Sequence, residues 1–215
     1  ISNYPLEQMR VVETWSKTMA CNWKVFWENF NECLHCPNIH PELSDLVPVY
    51  SRRISHPRDA AGWEAGIDGP DPRYRTGLRA GAETWSTNGS AQGQIIPGLS
   101  AEDLAAGQKY VTSYPGVFLG AYADHLRSVR ILPLGPERTE ITVEWLLPPK
   151  AAEDPDYDHR RIVDFAIMIM EQDAAACELN QQGLHAAPLD CGVLMPEEHW
   201  VKDFHDWVRR AVTAG

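Results

Sequence analysis

Apolar positions follow two rhythms along the chain. From about Val11 to Leu34, residues Trp15, Met19, Trp23, Phe26, Trp27 and Phe30 recur at helix-like steps, which predicts a helix. Pro37 interrupts it, because proline lacks the amide hydrogen and clashes with the preceding turn. Residues 1–12 show no clear rhythm, and residues 46–80, rich in Gly, Pro, Asp and Arg, predict a long irregular excursion. In the middle the rhythm shortens to partial alternation. Segments 80–88, 109–114, 116–122, 125–134 and 139–147 carry β-branched and aromatic residues and predict an antiparallel meander, with LGPERT (134–139) turning between the last two. After the PPKAAEDPDYD loop, a long helix is expected from about Asp158 to Leu184, then a Pro/Gly-containing stretch. A final amphipathic helix spans about Pro196 to Thr213, with Trp200, Phe204, Trp207, Val208 and Ala211 on one side. This order predicts an α+β domain, helices packed on one antiparallel sheet, without internal repeats.

The long helix holds an anomaly. Ile162, Phe165, Ile169, Asp173, Cys177, Asn180 and Leu184 follow three- and four-residue steps along one face, with Asp164, Glu178 and Gln182 roughly opposite. Asp173 therefore falls on the side expected to be buried. A buried carboxylate needs a cation, either a basic side chain or a metal. A salt bridge on the helix face satisfies that requirement as well as a metal does.

Composition narrows the classes. The chain has 215 residues, 44% of them apolar, enough for one large domain or at most two small ones. A net charge of −11 repels phosphate backbones and argues against nucleic acid. No apolar run is long enough to span a membrane and no signal-like segment opens the chain, so a cytoplasmic location is expected. Five cysteines at irregular spacing are expected to be reduced thiols. The first residue is Ile1 rather than Met, so the chain reads as a piece of something longer.

NECLHCPNIHPEL (31–43) concentrates the candidate chemistry. A zinc site on Cys33 and Cys36 would need a second short-spaced pair, which Cys177 and Cys191 do not supply, and a thioredoxin-like role would need a βαβ context. Cys33 and Cys36 are expected to be small buried apolar residues. Cys33-Leu-His35 matches half of a Rieske iron–sulfur site, but no Cys-x-x-His follows downstream. A mononuclear iron site asks for two His and one carboxylate, leaving positions open for oxygen and substrate. His35 and His40 are five apart, which on an unbroken helix rotates one about 140° from the other. They converge only if the helix breaks between them, where Pro37 lies. Asp173 then supplies the anion. Two His at this spacing also arise by chance, so the alternatives stay open at this point.

The segment NWKVFWENFNECLHCPNIHPEL (22–43) resembles the iron-ligand signature of Rieske non-haem iron oxygenase α subunits, the ring-hydroxylating oxygenases. EQDAAACELNQQGL (171–184) resembles the segment carrying that family's third ligand, and ILPLGPERTEITVEWLL its central pair of strands. The chain as a whole is similar to the C-terminal catalytic domain. GAETWSTNG (81–89), ADHLRSVRILPLGP and the glutamate at Glu32 look closest to the glycine betaine and carnitine, quaternary amine, type.

The resemblance implies a helix-grip (START/Bet v1-like) fold and a single iron-binding catalytic domain over residues 1–215. The N-terminal Rieske [2Fe–2S] domain of the family is absent from this chain and is expected upstream in the full-length protein. It further implies that His35, His40 and Asp173 bind mononuclear Fe(II), and that Glu32 links a His ligand to a neighbouring subunit's cluster. NAD(P)H would feed electrons through a separate reductase or ferredoxin, and the full-length protein would form a homotrimer. O2 and a small molecule would be the substrates, with no nucleic acid or membrane partner. A methylated ammonium substrate wants an aromatic cage. Trp85, Tyr114, Phe118, Tyr122 and Trp145 are its candidates, with core packing as the alternative use of each. His125, next to Asp124, reads as a satisfied structural histidine. The rival readings are an oxygenase acting on aromatic rings or aromatic acids, and a non-catalytic helix-grip module that binds a small molecule.

Overall fold

The computed structural model describes residues 1–52, 77–186 and 192–213. Most of the expected irregular excursion, part of the stretch after the long helix, and Cys191 lie outside the described residues.

Five strands form one antiparallel sheet: β1 (Arg10–Met19), β2 (Lys109–Ser113), β3 (Val117–Ala121), β4 (Leu126–Gly135) and β5 (Arg138–Leu147). Their order is β1-β5-β4-β3-β2, so the last four make the expected meander and β1 adds to its open edge. Alternation fixes which face is covered. On β5, Ile141, Val143, Trp145 and Leu147 are each 0% exposed, while the residues between them look outward. Pairing carries that face across the sheet: Ile141 with Ile131, Val143 with Val129, and Trp145 with Arg127. Each fully buried aliphatic chain of this row contributes roughly 1.5–3 kcal/mol.

The α-helices among the described residues are α1 (Trp23–Phe30), α2 (Cys36–Ile39), α3 (Pro41–Leu46), α4 (Ala101–Ala106), α5 (Pro149–Ala152), α6 (Arg160–Ala186) and α7 (His199–Thr213). α6 lays Ile162, Val163, Ala166, Met170, Ala174 and Cys177 into the cluster formed by that sheet face. α7 closes the far side with Phe204, 0% exposed, tilted against Trp27. A long helix gripped by an antiparallel sheet is the expected α+β helix-grip arrangement. Among the described residues, no helix is long and apolar enough to cross a membrane.

Several expectations need correction. Residues 10–19 are a strand, not a helix, because the four-residue steps Trp15–Met19–Trp23 are also even steps, and β-branched Val11, Val12, Thr14 and Thr18 favour the extended chain. Residues 80–88 form turns, not a strand. The chain folds back so that the Glu83 and Thr84 amides donate to the Gly89 carbonyl, and Gly89 adopts φ +77, where a Cβ would lie 2.8 Å from that of Ala82. Pro37 does not break a helix; it sits in the first turn of α2, where its missing amide hydrogen costs nothing. Asn180 and Leu184 are exposed. Beyond Cys177, α6 faces the backbone of the β1–α1 turn, and Gln181 and Glu178 turn inward instead to accept the amides of Asn22 and Ala20.

A buried charge cluster anchors the N-terminal end of α6. Asp124, 0% exposed, accepts His125 Nδ1 at 2.7 Å, Tyr157 Oη at 2.9 Å and Arg161 Nη2 at 3.1 Å, together with the Thr84 hydroxyl. Burial raises the Asp124 pKa, but His125, Thr84 and Arg161 outweigh it and hold the carboxyl below its usual value. Its stabilising contribution is therefore present above the ordinary carboxylate range and lost as pH falls through the depressed native value. Asp124→Ala leaves Arg161 buried without its carboxylate, so urea unfolding should show a loss of about 3–5 kcal/mol at neutral pH.

Candidate metal centre

α1 carries its inward residues to Phe30, and the chain then turns through 31–35 into α2. His35 caps the N-terminal end of α2 and His40 stands at its C-terminal end. His40 leaves helical geometry, at φ −124 and ψ 67, so the rotation that a continuous helix would impose on a five-residue spacing does not apply. Asp173 reaches the pair from the middle of α6. One ligand atom from each of His35, His40 and Asp173 lies within 4.8 Å of the others.

Hydrogen bonds orient the set. His35 Nδ1 donates to Glu32 Oε1. His40 Nδ1 donates to Gln172 Oε1 at 2.8 Å, and Gln172 Nε2 donates in turn to Glu42. Acceptors at both Nδ1 atoms hold a proton there and turn both Nε2 atoms toward Asp173 Oδ1, at 3.5 Å from His35 and 2.9 Å from His40. Asn29 Nδ2 donates to the same carboxylate oxygen at 2.7 Å. His40 is 1% exposed, while Asp173 and His35 are half-buried. Burial pulls the His35 imidazole down, but its hydrogen bonds with Asp173 and Glu32 win and raise it to about 9. Burial raises Asp173, yet His35 and His40 hold it well below the usual carboxylate range. Two imidazole nitrogens and one carboxylate on one side of a point, once the second proton of His35 is displaced, are a fit donor set for a divalent transition metal with open positions.

The cysteines expected as reduced thiols beside this site are instead paired, Cys33 to Cys36. A turn in which the Cys36 amide donates to the Cys33 carbonyl brings their Cα atoms to 4.9 Å, within disulfide reach. Both are buried, as expected, and Cys21 and Cys177 are free and buried.

The three ligand candidates open onto a cavity of about 540 Å³. Of the aromatic residues proposed for a cage, Trp85 and Phe118 line it, joined by Phe30, Tyr50 and Tyr110. Tyr122 packs behind Trp85, with ring centroids 5.2 Å apart. Tyr114 stands behind Asn31, which donates to its hydroxyl at 3.0 Å, and Trp145 is 0% exposed inside the core; neither lines the cavity. Sequence reasoning missed Asn29, Gln172 and Arg127. Asn29 and Gln172 lie beside recognised positions, α1's ligand-proximal turn and Asp173 itself. Arg127 alternates with Val129 and Ile131 on the covered face of β4, and that placement was the available signal. Trp85 Nε1, Gln108 Oε1 and Arg127 Nε are buried without hydrogen-bond partners at this cavity.

Comparison with known proteins places the geometry in context. The profile described as ring hydroxylating alpha subunit (catalytic domain) matches residues 6–214. The chain is similar to the glycine betaine monooxygenase oxygenase subunit of Chromohalobacter salexigens, 27% identical over 229 residues, covering 96% of this chain and 51% of the relative. It is also similar to the chloroplastic choline monooxygenase of Spinacia oleracea, 22% identical over 198 residues, covering 90% of this chain and 38% of the relative. The chain thus spans about half the length of the bacterial relative it matches, and less of the plant one. A solved quaternary ammonium Rieske monooxygenase, from a study of carnitine oxidation by gut microbiota, superposes with a TM-score of 0.61 at 13% identity. That superposition covers 94% of this chain and 50% of the other. At that identity the likeness speaks to the fold.

His40→Ala and Asp173→Ala should each cut bound iron to below about a tenth of the unaltered chain's content, measured by elemental analysis after loading, since each removes one of three ligands. A metal must displace the proton that His35 carries below about 9. Apparent affinity should therefore rise with pH and level off near that value, with proton release seen as buffer-dependent heat in titration calorimetry.

Proposed function

The chain belongs to the ring-hydroxylating alpha subunit (catalytic domain) family, and on that premise we propose that it is the oxygen-activating domain of a Rieske-type oxygenase that demethylates a quaternary ammonium compound. The observation that carries this reading is the meeting of His35, His40 and Asp173 at the wall of a cavity lined by Phe30, Tyr50, Trp85, Tyr110 and Phe118. Fe(II) held by these three residues would supply the electrons that make dioxygen reactive, with open positions for oxygen and substrate.

The chain's own residues do the rest. Ring faces attract a trimethylammonium group by roughly 0.5–2 kcal/mol each. They orient one N-methyl toward the ligand triad, and the apolar walls keep bulk water from the reacting carbon. Glu32 holds the Nδ1 proton of His35 and so fixes the ring's orientation. One oxygen atom enters the methyl C–H bond, and the other leaves as water with two electrons and two protons. The resulting N-hydroxymethyl ammonium loses formaldehyde and a proton and leaves a tertiary amine. The electrons come from NAD(P)H through a reductase or ferredoxin and a Rieske [2Fe–2S] cluster outside this chain. In a cytoplasmic homotrimer of the longer protein, that cluster belongs to the neighbouring subunit, and Glu32 is the link to it.

The test joins the chain to its Rieske domain, adds a reductase and NAD(P)H, and screens glycine betaine, carnitine and simple aromatic acids. Formaldehyde release matching oxygen uptake is expected with a methylated ammonium. Uptake driven only by aromatic acids, without formaldehyde, would refute the substrate reading in favour of ring hydroxylation. Glu32→Ala should lower turnover about 10–100-fold, with a smaller drop in iron content, because it disturbs ligand orientation and electron entry more than metal retention.

A further inference from the structure

Among the described residues, Arg127 is a cation without a paired anion. It is 4% exposed and lines the same cavity as His35, His40 and Asp173. Its guanidinium carbon lies 5.9 Å from the ring centroid of Trp85 and 5.7 Å from that of Tyr122, so ring faces hold it in place. Nε has no hydrogen-bond partner, and no carboxylate among the described residues pairs with it. Asp173, the acid whose field it feels, is committed to His35, His40 and Asn29. A second donor is orphaned beside it, the buried Nε1 of Trp85. The register explains the placement: Arg127 follows the covered face of β4, opposite Gly120 on β3, whose missing side chain leaves room for the Tyr122 ring.

Two buried donors without acceptors call for a ligand group rich in acceptors, and a planar fork beside an indole N–H suits a carboxylate. We propose that Arg127 is the carboxylate-binding and specificity-determining residue of this cavity, so that its ligand is a zwitterion with its anionic end at the sheet and its methylated ammonium toward His35, His40 and Asp173. The ammonium end rests on the reading given under Proposed function; the carboxylate end rests on Arg127 alone. A bare cation such as choline would leave Arg127 uncompensated and place a second positive charge in the same enclosure. This separates a betaine-like substrate from a choline-like one, two classes that sequence similarity to both kinds of relative leaves together.

Titration calorimetry of the 215-residue chain with Co(II) present compares three probes. Glycine betaine carries both charges. Choline keeps the trimethylammonium and lacks the carboxylate. 3,3-Dimethylbutyrate keeps the carboxylate and shape, with carbon in place of nitrogen. Glycine betaine should bind at least about tenfold more tightly than choline. Arg127→Met should weaken glycine betaine and dimethylbutyrate by about tenfold or more and leave choline no weaker, or tighter, because the like charge is gone. Arg127→Lys, which keeps the charge without the fork, should fall between, and circular dichroism checks that each variant folds. If the Met variant does not fold, the probe ranking on the unaltered chain and the Lys variant decide. Choline binding as tightly as glycine betaine, or Arg127 variants that leave both carboxylates unaffected, would overturn the carboxylate subsite while sparing the ammonium reading. Dimethylbutyrate matching glycine betaine, with both weakened by Arg127→Met, would keep the subsite and overturn the ammonium reading. Failure of all three probes to bind would overturn both.

Discussion

The structure depends on one carboxylate being held where a helix would otherwise bury it at a cost. Asp173 sits midway along α6 and is stabilised as an anion by two imidazoles and the amide of Asn29, brought from the two ends of α2 and from α1. Without those partners the carboxylate would take up a proton or force α6 outward. With them, two segments separated by most of the chain are pinned together at one point. α1 and α6 must then pack closely, and the shared apolar cluster of Val25, Phe26, Met170, Ala174 and Cys177 supplies that packing. The Asp124 cluster fixes α6 at its N-terminal end through Arg161, and Glu178 and Gln181 tie its C-terminal half to the β1–α1 turn, so the helix that carries Asp173 is held on both sides of it.

The sheet contributes the second half of the site. Its covered face is apolar through most of β4 and β5, which builds the core, and turns aromatic and charged toward β2 and β3. Tyr110, Gly120, Arg127 and Trp145 occupy successive strands in register. One cross-strand row therefore runs from the core interior at Trp145 to the cavity wall at Arg127 and Tyr110. Burial decides the difference: Trp145 is closed over by helices, while Arg127 meets the space left between α1, α2 and α6.

Much of this was legible in the sequence, for physical reasons. α6 and β5 have long, consistent periods, and the shorter β2 to β4 carry the β-branched and aromatic residues that favour strands. β1 reads as helix in the sequence because a four-residue apolar step serves either period, and its β-branched residues, which decide the matter, fall between the large side chains that set the rhythm. The ligand candidates were legible because an acid on an inward helix face and two His around a proline are both anomalies. Their supports, Gln172 and Asn29, were not, since amides carry no periodic signal. Trp145 reads as a cage candidate in the sequence because alternation shows which face a side chain takes and not how far along the strand a cavity extends. Arg127 was hidden by the reverse problem: an arginine on a strand reads as solvent-facing until the register places it on the covered side. The Cys33–Cys36 pairing depended on a tight turn that composition cannot reveal.

The central claim is that His35, His40 and Asp173 together bind one metal ion. X-ray absorption spectroscopy of the chain loaded with Fe(II) under anaerobic conditions tests this directly. The account predicts a light-atom shell with the multiple-scattering pattern of two imidazoles, no sulfur scatterer, and loss of one imidazole component in His35→Ala. A sulfur ligand from the neighbouring cysteines, or an oxygen-only shell unchanged by that substitution, would contradict it.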